Sequence, residues 1–186
     1  MSLRCLLLSL LLSFFAPAWL TPVCINDCCH FLESFPSRLK ELRRDYSRIR
    51  DFYEANDDFD TALTHIRALT GPVLLCLQSP FACQAINSIL DFYLRTVLPT
   101  AVADVTNQTR DLKPHVESIQ HIFHQLKADV TKCRHHFSCK KQFDIRNLNS
   151  AYSQMENKGL FKAMGELDLL FNYIENYLAS KRERHM

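Results

Sequence analysis

The chain carries repeated segments in which apolar side chains recur at intervals of three and four residues. This spacing places them along one face of an α-helix. In the first segment the apolar positions are Leu39, Leu42, Tyr46, Ile49 and Phe52. Pro36 suits the first turn of that helix, because an N–H has no intrahelical partner there. Glycine occurs only three times, and no strand-period stretch bounded by turn dipeptides is present. The pattern therefore predicts an all-α domain.

Six segments follow the helical spacing: 36–55, 59–69, 81–98, 114–133, 141–157 and 160–180. The third has an apolar stripe widened by Leu90 and Leu94, so it is expected to be the central helix and to end at Pro99. Gly159 is expected to separate the last two helices. Short connections between helices predict a helical bundle.

Residues 1–18 have the layout of a secretory signal peptide. Arg4 precedes an apolar run from Cys5 to Phe15, and Ala16-Pro17-Ala18 matches a cleavage pattern. The run is shorter than the roughly 20 residues that a membrane-spanning helix needs. We therefore expect secretion, no membrane insertion, and a mature chain, 19–186, that forms a single helical domain.

Cysteine content limits the fold further. Of the eight cysteines, Cys5 leaves with the signal, and the rest are expected to form disulfides in an oxidising compartment. Because the remaining number is odd, one thiol is left over or pairs between chains. Many connectivities are open to such a set, so the sequence alone does not fix the pairs.

The stretch 131–140, TKCRHHFSCK, brackets two histidines with two cysteines. The side chains that a metal centre could use are Cys133, Cys139, His121, His124, His135 and His136. Zinc sites usually combine C-x2–4-C with a separate histidine pair, whereas here five residues lie between the cysteines (C-x5-C) and His135 and His136 are adjacent. Neither cysteine has a recognisable protease context. We expect a disulfide junction with solvated histidines, no metal or cofactor, and no enzymatic activity.

Two other function classes stay open at this point: a secreted metal-binding protein that uses the four histidines, and a lipid-binding disulfide-stapled protein. The net charge of +2 comes from mixed signs along the chain, so no nucleic-acid footprint is visible. Asn107-Gln108-Thr109 is an N-x-T sequon. In a secreted chain it predicts a glycan on Asn107.

Three stretches resemble the interleukin-10 family, in the family's order. GLFKAMGELDLLFNYIENYL (159–178) is similar to its last helix, CQAINSILDFYLRTVLP (83–99) to its C-Q-A…F-Y-L helix, and CCHFLESFPSRLKELR (28–43) to its first helix. The C-x3-C-C pattern at 24–29 resembles fish members. The likeness covers about 28–60 and 80–180, and 64–79 departs from it.

The resemblance implies a six-helix cytokine bundle and an intertwined, domain-swapped homodimer. In such a dimer the last two helices of each chain pack into the partner's bundle. Only residues 134–138 separate Cys133 from Cys139, and a short constrained hinge favours swapping over folding back.

The resemblance also implies two disulfides, Cys28–Cys133 and Cys83–Cys139, with Cys28 preferred to its neighbour Cys29. A bond between Cys24 and Cys29 would close a small N-terminal loop. That arrangement leaves Cys76 unpaired.

The function implied by the resemblance is that of a ligand for class II cytokine receptor ectodomains, which suppresses inflammatory and immune responses. In the family, the high-affinity receptor contacts the first helix, the loop after it and the last helix. The matching polar residues are Arg43, Arg50, Glu54, Asp60, Lys158, Lys162, Glu166, Asp168 and Glu175.

Overall fold

A computed structural model of the chain describes residues 26–57, 82–106, 108–139 and 145–183. All regular elements within these ranges are helical, which confirms the predicted fold class. They are α1 (Asp27–Ala55), α2 (Ala82–Phe92), a π-helical turn (Tyr93–Val97), α3 (Leu98–Ala103), a 3-10 turn (Arg110–Leu112), α4 (Lys113–Lys132), α5 (Arg146–Gln154), α6 (Lys158–Gly165) and α7 (Leu167–Glu183). The predicted helix at 59–69 lies outside the described residues.

Helix α1 begins well before Pro36, so the prediction that this proline occupies the first turn is wrong. The cap is Asn26, whose side-chain oxygen accepts a hydrogen bond from the Cys29 N–H at 2.9 Å. Pro36 lies inside the helix and cannot donate to the carbonyl of Leu32. That carbonyl instead accepts a hydrogen bond from Arg182 Nη2 at 2.8 Å, which ties the end of α7 to α1.

The central helix does not end at Pro99, contrary to the sequence prediction. Within the π-helical turn the N–H of Leu98 bonds to the carbonyl of Tyr93, five residues earlier. Pro99 then follows directly in the first turn of α3. The helical path therefore runs without a break from Ala82 to Ala103.

Gly159 lies within α6 rather than between two helices, so the prediction that it ends a helix is wrong. The break falls at 155–157, where Glu156 has a φ of 52°. A Cβ on Gly159 would lie 2.7 Å from the carbonyl oxygen of Tyr152. Glycine is needed there because α5 and α6 approach each other closely.

The core forms where α1 packs against α4, α6 and α7 of the same chain. Phe171 of α7 lies edge-on to Tyr46 of α1, with ring centroids 5.7 Å apart, and to Phe123 of α4 at 6.1 Å. Tyr93 continues this series with an edge contact to Phe123 at 6.0 Å. The aromatic members of the predicted stripes therefore contact one another across four elements.

Two buried tyrosines bond to backbone carbonyls of α6. Tyr46 Oη donates to the carbonyl oxygen of Gly165 at 2.5 Å, and Tyr93 Oη donates to that of Ala163 at 2.8 Å. Burial raises the pKa of both phenols above their ordinary value. These hydrogen bonds fix the position of α6 along α1 and the central helix.

A buried carboxylate joins α1 to α4. Asp45 is only 5% exposed, and it accepts a hydrogen bond from Ser118 Oγ at 2.6 Å. His115 Nδ1 lies 3.1 Å from its other oxygen. Because a buried carboxylate is unfavourable unless it is hydrogen-bonded, this cluster sets the register of the two helices.

Two disulfides hold the described helices together. Cys28 in the first turn of α1 is bonded to Cys133 after α4, with Cα atoms 5.5 Å apart. Cys83 at the start of α2 is bonded to Cys139, with Cα atoms 5.3 Å apart. Cys29 is also disulfide-bonded, while Cys24, its predicted partner, and Cys76 lie outside the described residues.

Among the described helices, none combines the length and the apolar character that crossing a membrane requires.

Candidate receptor-binding surface

Three of the predicted contact residues lie along one exposed face of α1. Arg43, Arg50 and Glu54 are separated by seven and four residues, and this spacing aligns side chains on one side of a helix. Their side chains are about half exposed, at 47%, 49% and 53%. The sequence pattern and the structure therefore agree on a charged stripe along α1.

The matching stripe on α7 is formed by Asp168, Asn172 and Glu175. They are four and three residues apart, so they share one helical face. Asp168 and Asn172 are exposed, and the Glu175 side chain is 43% exposed. Asn172 was not among the predicted residues, although its spacing from Asp168 and Glu175 is a signal that could have identified it.

The two stripes meet at Arg43. Its Nη2 donates to Asn172 Oδ1 at 2.8 Å and to Glu175 Oε2 at 2.7 Å. The stripes of α1 and α7 therefore form one continuous charged surface, which we call the α1–α7 face and define by Arg43, Arg50, Glu54, Asp168, Asn172 and Glu175. An exposed pair of this kind adds little to stability, but it holds the Arg43 guanidinium in a fixed position.

Arg50 is held mainly by residues of its own helix. Its guanidinium lies 3.3 Å from Asp51 Oδ1 and 3.7 Å from Glu54 Oε2. The hydrogen bond to Asp51, followed by the charge of Glu54, raises the pKa of Arg50 above its ordinary value. Arg50 is therefore a permanent positive charge between two acidic side chains.

Two further predicted residues, Lys162 and Glu166, lie beneath the surface. The Lys162 side chain is 6% exposed and that of Glu166 is 13% exposed. Lys162 Nζ donates to Asp57 Oδ2 at 2.7 Å and lies 3.2 Å from Glu166 Oε1. We call Asp57, Lys162 and Glu166 the Lys162 node.

The charge of Lys162 is stabilised by its acidic partners. Burial lowers the pKa of its ammonium group, but the hydrogen bond that it donates to Asp57 and the charge of Glu166 raise it by more, so the pKa lies above its ordinary value. Asp57 was not among the predicted residues. Its role depends on a contact between α6 and the end of α1 that sequence spacing does not encode.

The remaining predicted residues have separate positions. Lys158 is exposed in the first turn of α6. Asp60 and the sequon residue Asn107 lie outside the described residues. The contacts of Asp60 and the glycan on Asn107 stay predictions.

The cysteines of the 131–140 stretch are not thiolate ligands, since both Cys133 and Cys139 are disulfide-bonded. In the described part of the chain no group of three or more His, Cys, Asp or Glu side chains could hold a metal ion. His135 is exposed, as expected, whereas His136 is only partly exposed and its ring contacts Phe137 at 5.5 Å. The expectation of a solvated His136 is wrong, because its Nε2 atom is buried.

The helical bundle that the disulfides tie together is an architecture that helical cytokines use. Comparison with known proteins gives the family. A family model described as Interleukin 10 matches residues 2–180. The chain is 34% identical to interleukin-10 of Vulpes vulpes over 157 residues, which cover 84% of this chain and 83% of the relative. It is 32% identical to interleukin-10 of Gallus gallus over 176 residues, which cover 94% and 96%.

The chain belongs to the interleukin-10 family. Receptor binding and immune suppression are the known role of this family. It is a family of cytokines and not of enzymes, as the sequence predicted.

Proposed function

We propose that this chain is a secreted cytokine that loses residues 1–18 as a signal peptide and acts as a single helical domain, 19–186. It binds class II cytokine receptor chains of the interleukin-10 receptor type and suppresses inflammatory responses. The α1–α7 face is the observation that carries the proposal. Arg43 joins the exposed stripes of two helices, and these are the helices that the family uses for its high-affinity receptor.

The active form that we propose is an intertwined homodimer. Helices α6 and α7 pack against α1 within one chain, and exchange between two chains would keep the same side-chain contacts. The disulfides hold Cys133 and Cys139 at the two ends of a short connection. A short, constrained connection of this kind favours exchange between chains.

The dimer is tested by measuring the mass in solution. We expect size-exclusion chromatography with light scattering to give the mass of two chains at micromolar concentration. The disulfide-intact protein should keep that mass on dilution, because in the exchanged dimer the large contact of α6 and α7 with α1 is made between the two chains. A mass of one chain throughout the dilution series would contradict the proposed dimer.

For the receptor contacts, we expect Arg43→Glu to weaken binding to the high-affinity receptor ectodomain by about 10- to 100-fold, the range of an interface hot spot. The substitution reverses a fixed charge at the centre of the α1–α7 face and places it against Glu175. Surface plasmon resonance with immobilised ectodomain measures the effect. The remaining α1–α7 face residues and Lys158 are proposed contacts of smaller effect.

Two further variants separate the receptor contact from the internal ion pair. Arg43→Glu combined with Glu175→Arg restores an opposite-charge pair between α1 and α7, but it presents reversed charges to the receptor. We expect this double variant to remove the repulsion between positions 43 and 175 and still to bind weakly. Arg95→Glu is the matched control. Arg95 is also an exposed arginine paired with a carboxylate, that of Asp91 at 2.9 Å, but it lies in the π-helical turn and not on α1 or α7. If Arg95→Glu weakens binding as much as Arg43→Glu, the α1–α7 face is not the receptor surface.

A further inference from the structure

Lys162 is positioned differently from the other predicted contact residues. Its side chain is 6% exposed, whereas Arg43 and Glu175 are about half exposed, at 47% and 43%. A lysine charge at such a depth is stable only when acidic groups compensate it. Here the same nitrogen lies 2.7 Å from Asp57 and 3.2 Å from Glu166. The ammonium group is thus directed toward these internal partners.

The two acidic partners lie next to different stripes of the α1–α7 face. Asp57 follows the end of α1, where its N–H bonds to the carbonyl of Glu54 at 3.1 Å. Glu166 occupies the junction between α6 and α7, two residues before Asp168. The Lys162 node therefore bridges the end of the α1 stripe and the beginning of the α7 stripe.

The junction between α6 and α7 contacts α1 closely beside this bridge. The backbone of Gly165, next to Glu166, is bonded to Tyr46 Oη at 2.5 Å. A Cβ on Gly165 would be in van der Waals contact with the backbone nitrogen of Glu54 at 3.8 Å. The junction thus packs directly on the α1 backbone beside a proposed receptor contact, and a shift of the junction would move both stripes relative to each other.

We propose that Lys162 is a positioning residue for receptor binding, which sets the spacing of the two stripes through Asp57 and Glu166 and does not itself contact the receptor. This proposal rests on the proposed function of the α1–α7 face. Without the ammonium group, two carboxylates that share one partner would face each other and separate through repulsion. The receptor would then meet correct side chains at an altered spacing.

A double-mutant cycle tests the positioning role. We expect Lys162→Met and Asp57→Asn each to weaken receptor ectodomain binding by about 10-fold, and the double variant by no more than about 30-fold, since both break the same bridge. Independent contacts would multiply to about 100-fold. The variants are measured by surface plasmon resonance, with the concentration of folded protein fixed by circular dichroism and chromatography.

Lys158→Met is the matched control, because Lys158 lies one turn earlier on α6 and is exposed. Its effect should multiply with that of Asp57→Asn. A second cycle with Glu166→Gln and Asp57→Asn leaves Lys162 in place, so a result is obtained even if Lys162→Met does not fold. We expect this second cycle to be non-multiplicative as well.

Three results would overturn the proposal. Multiplicative effects of Lys162→Met and Asp57→Asn would make Lys162 a direct contact. Reduced stability with unchanged affinity of the folded protein would make its role structural only. If the unsubstituted protein fails to bind the receptor, the proposed function itself fails, and that outcome is distinguished from the others because no variant is needed to observe it.

Discussion

Replacing Cys28 and Cys133 together by alanine is expected to lower the free energy of unfolding by about 4–5 kcal/mol. The bond joins positions 105 residues apart, and in the chain-entropy treatment a long closed loop restricts the unfolded chain most strongly. It also fixes the first turn of α1 to the end of α4. A loss of this size is a large part of the stability of an ordinary domain.

Urea denaturation followed by circular dichroism at fixed protein concentration measures this loss. The matched control replaces Cys83 and Cys139, whose bond spans 56 residues. Because loop entropy grows with the logarithm of length, this second pair should cost about 0.5 kcal/mol less. A loss below about 1 kcal/mol for the first pair would mean that α1 and α4 constrain the chain without the bond.

The helices could be predicted from spacing, but their ends could not. The three-and-four periodicity reports which side chains are buried, and it located five helical segments that the structure describes. Helix ends depend on groups outside the helix. Pro36 is tolerated inside α1 because Arg182, at the far end of the chain, donates to the carbonyl that the proline leaves without a partner. Gly159 is required by the carbonyl of Tyr152 and not by a turn.

The part of the candidate site that lies on the face of a single helix could be predicted from the sequence. Arg43, Arg50 and Glu54 share a face through their spacing alone. The pairing of Arg43 with Asn172, and the burial of Lys162 on Asp57, join residues more than one hundred positions apart. Only the packing of α6 and α7 on α1 brings those residues together, so the sequence alone predicts a surface contact for Lys162, which the structure buries.

Disulfide connectivity needed information beyond the residues themselves. Cys28 and Cys29 are adjacent, and either could reach a distant partner as far as composition is concerned. The structure pairs Cys28 with Cys133, which is the pair that the family resemblance implies. The helical position decides between the two neighbours, because successive side chains on a helix point about 100° apart.

Replacing Phe171 by alanine is expected to lower the free energy of unfolding by about 3–5 kcal/mol, the range for truncating a buried aromatic ring. Phe171 has no exposed surface. Its ring makes edge contacts with Tyr46 of α1 at 5.7 Å and with Phe123 of α4 at 6.1 Å. The substitution therefore leaves a cavity where α1, α4 and α7 meet.

The control for this prediction is Phe161→Ala, since Phe161 is only partly buried and packs beside Phe52 at the edge of the core. We expect it to cost less than Phe171→Ala when both are measured by urea denaturation at one protein concentration. Phe171→Leu should recover most of the loss, because it refills much of the cavity. If both truncations lower the free energy of unfolding equally, buried packing of Phe171 on α1 and α4 is not what holds α7 in place. The fixed position of the α1–α7 face would then need another cause.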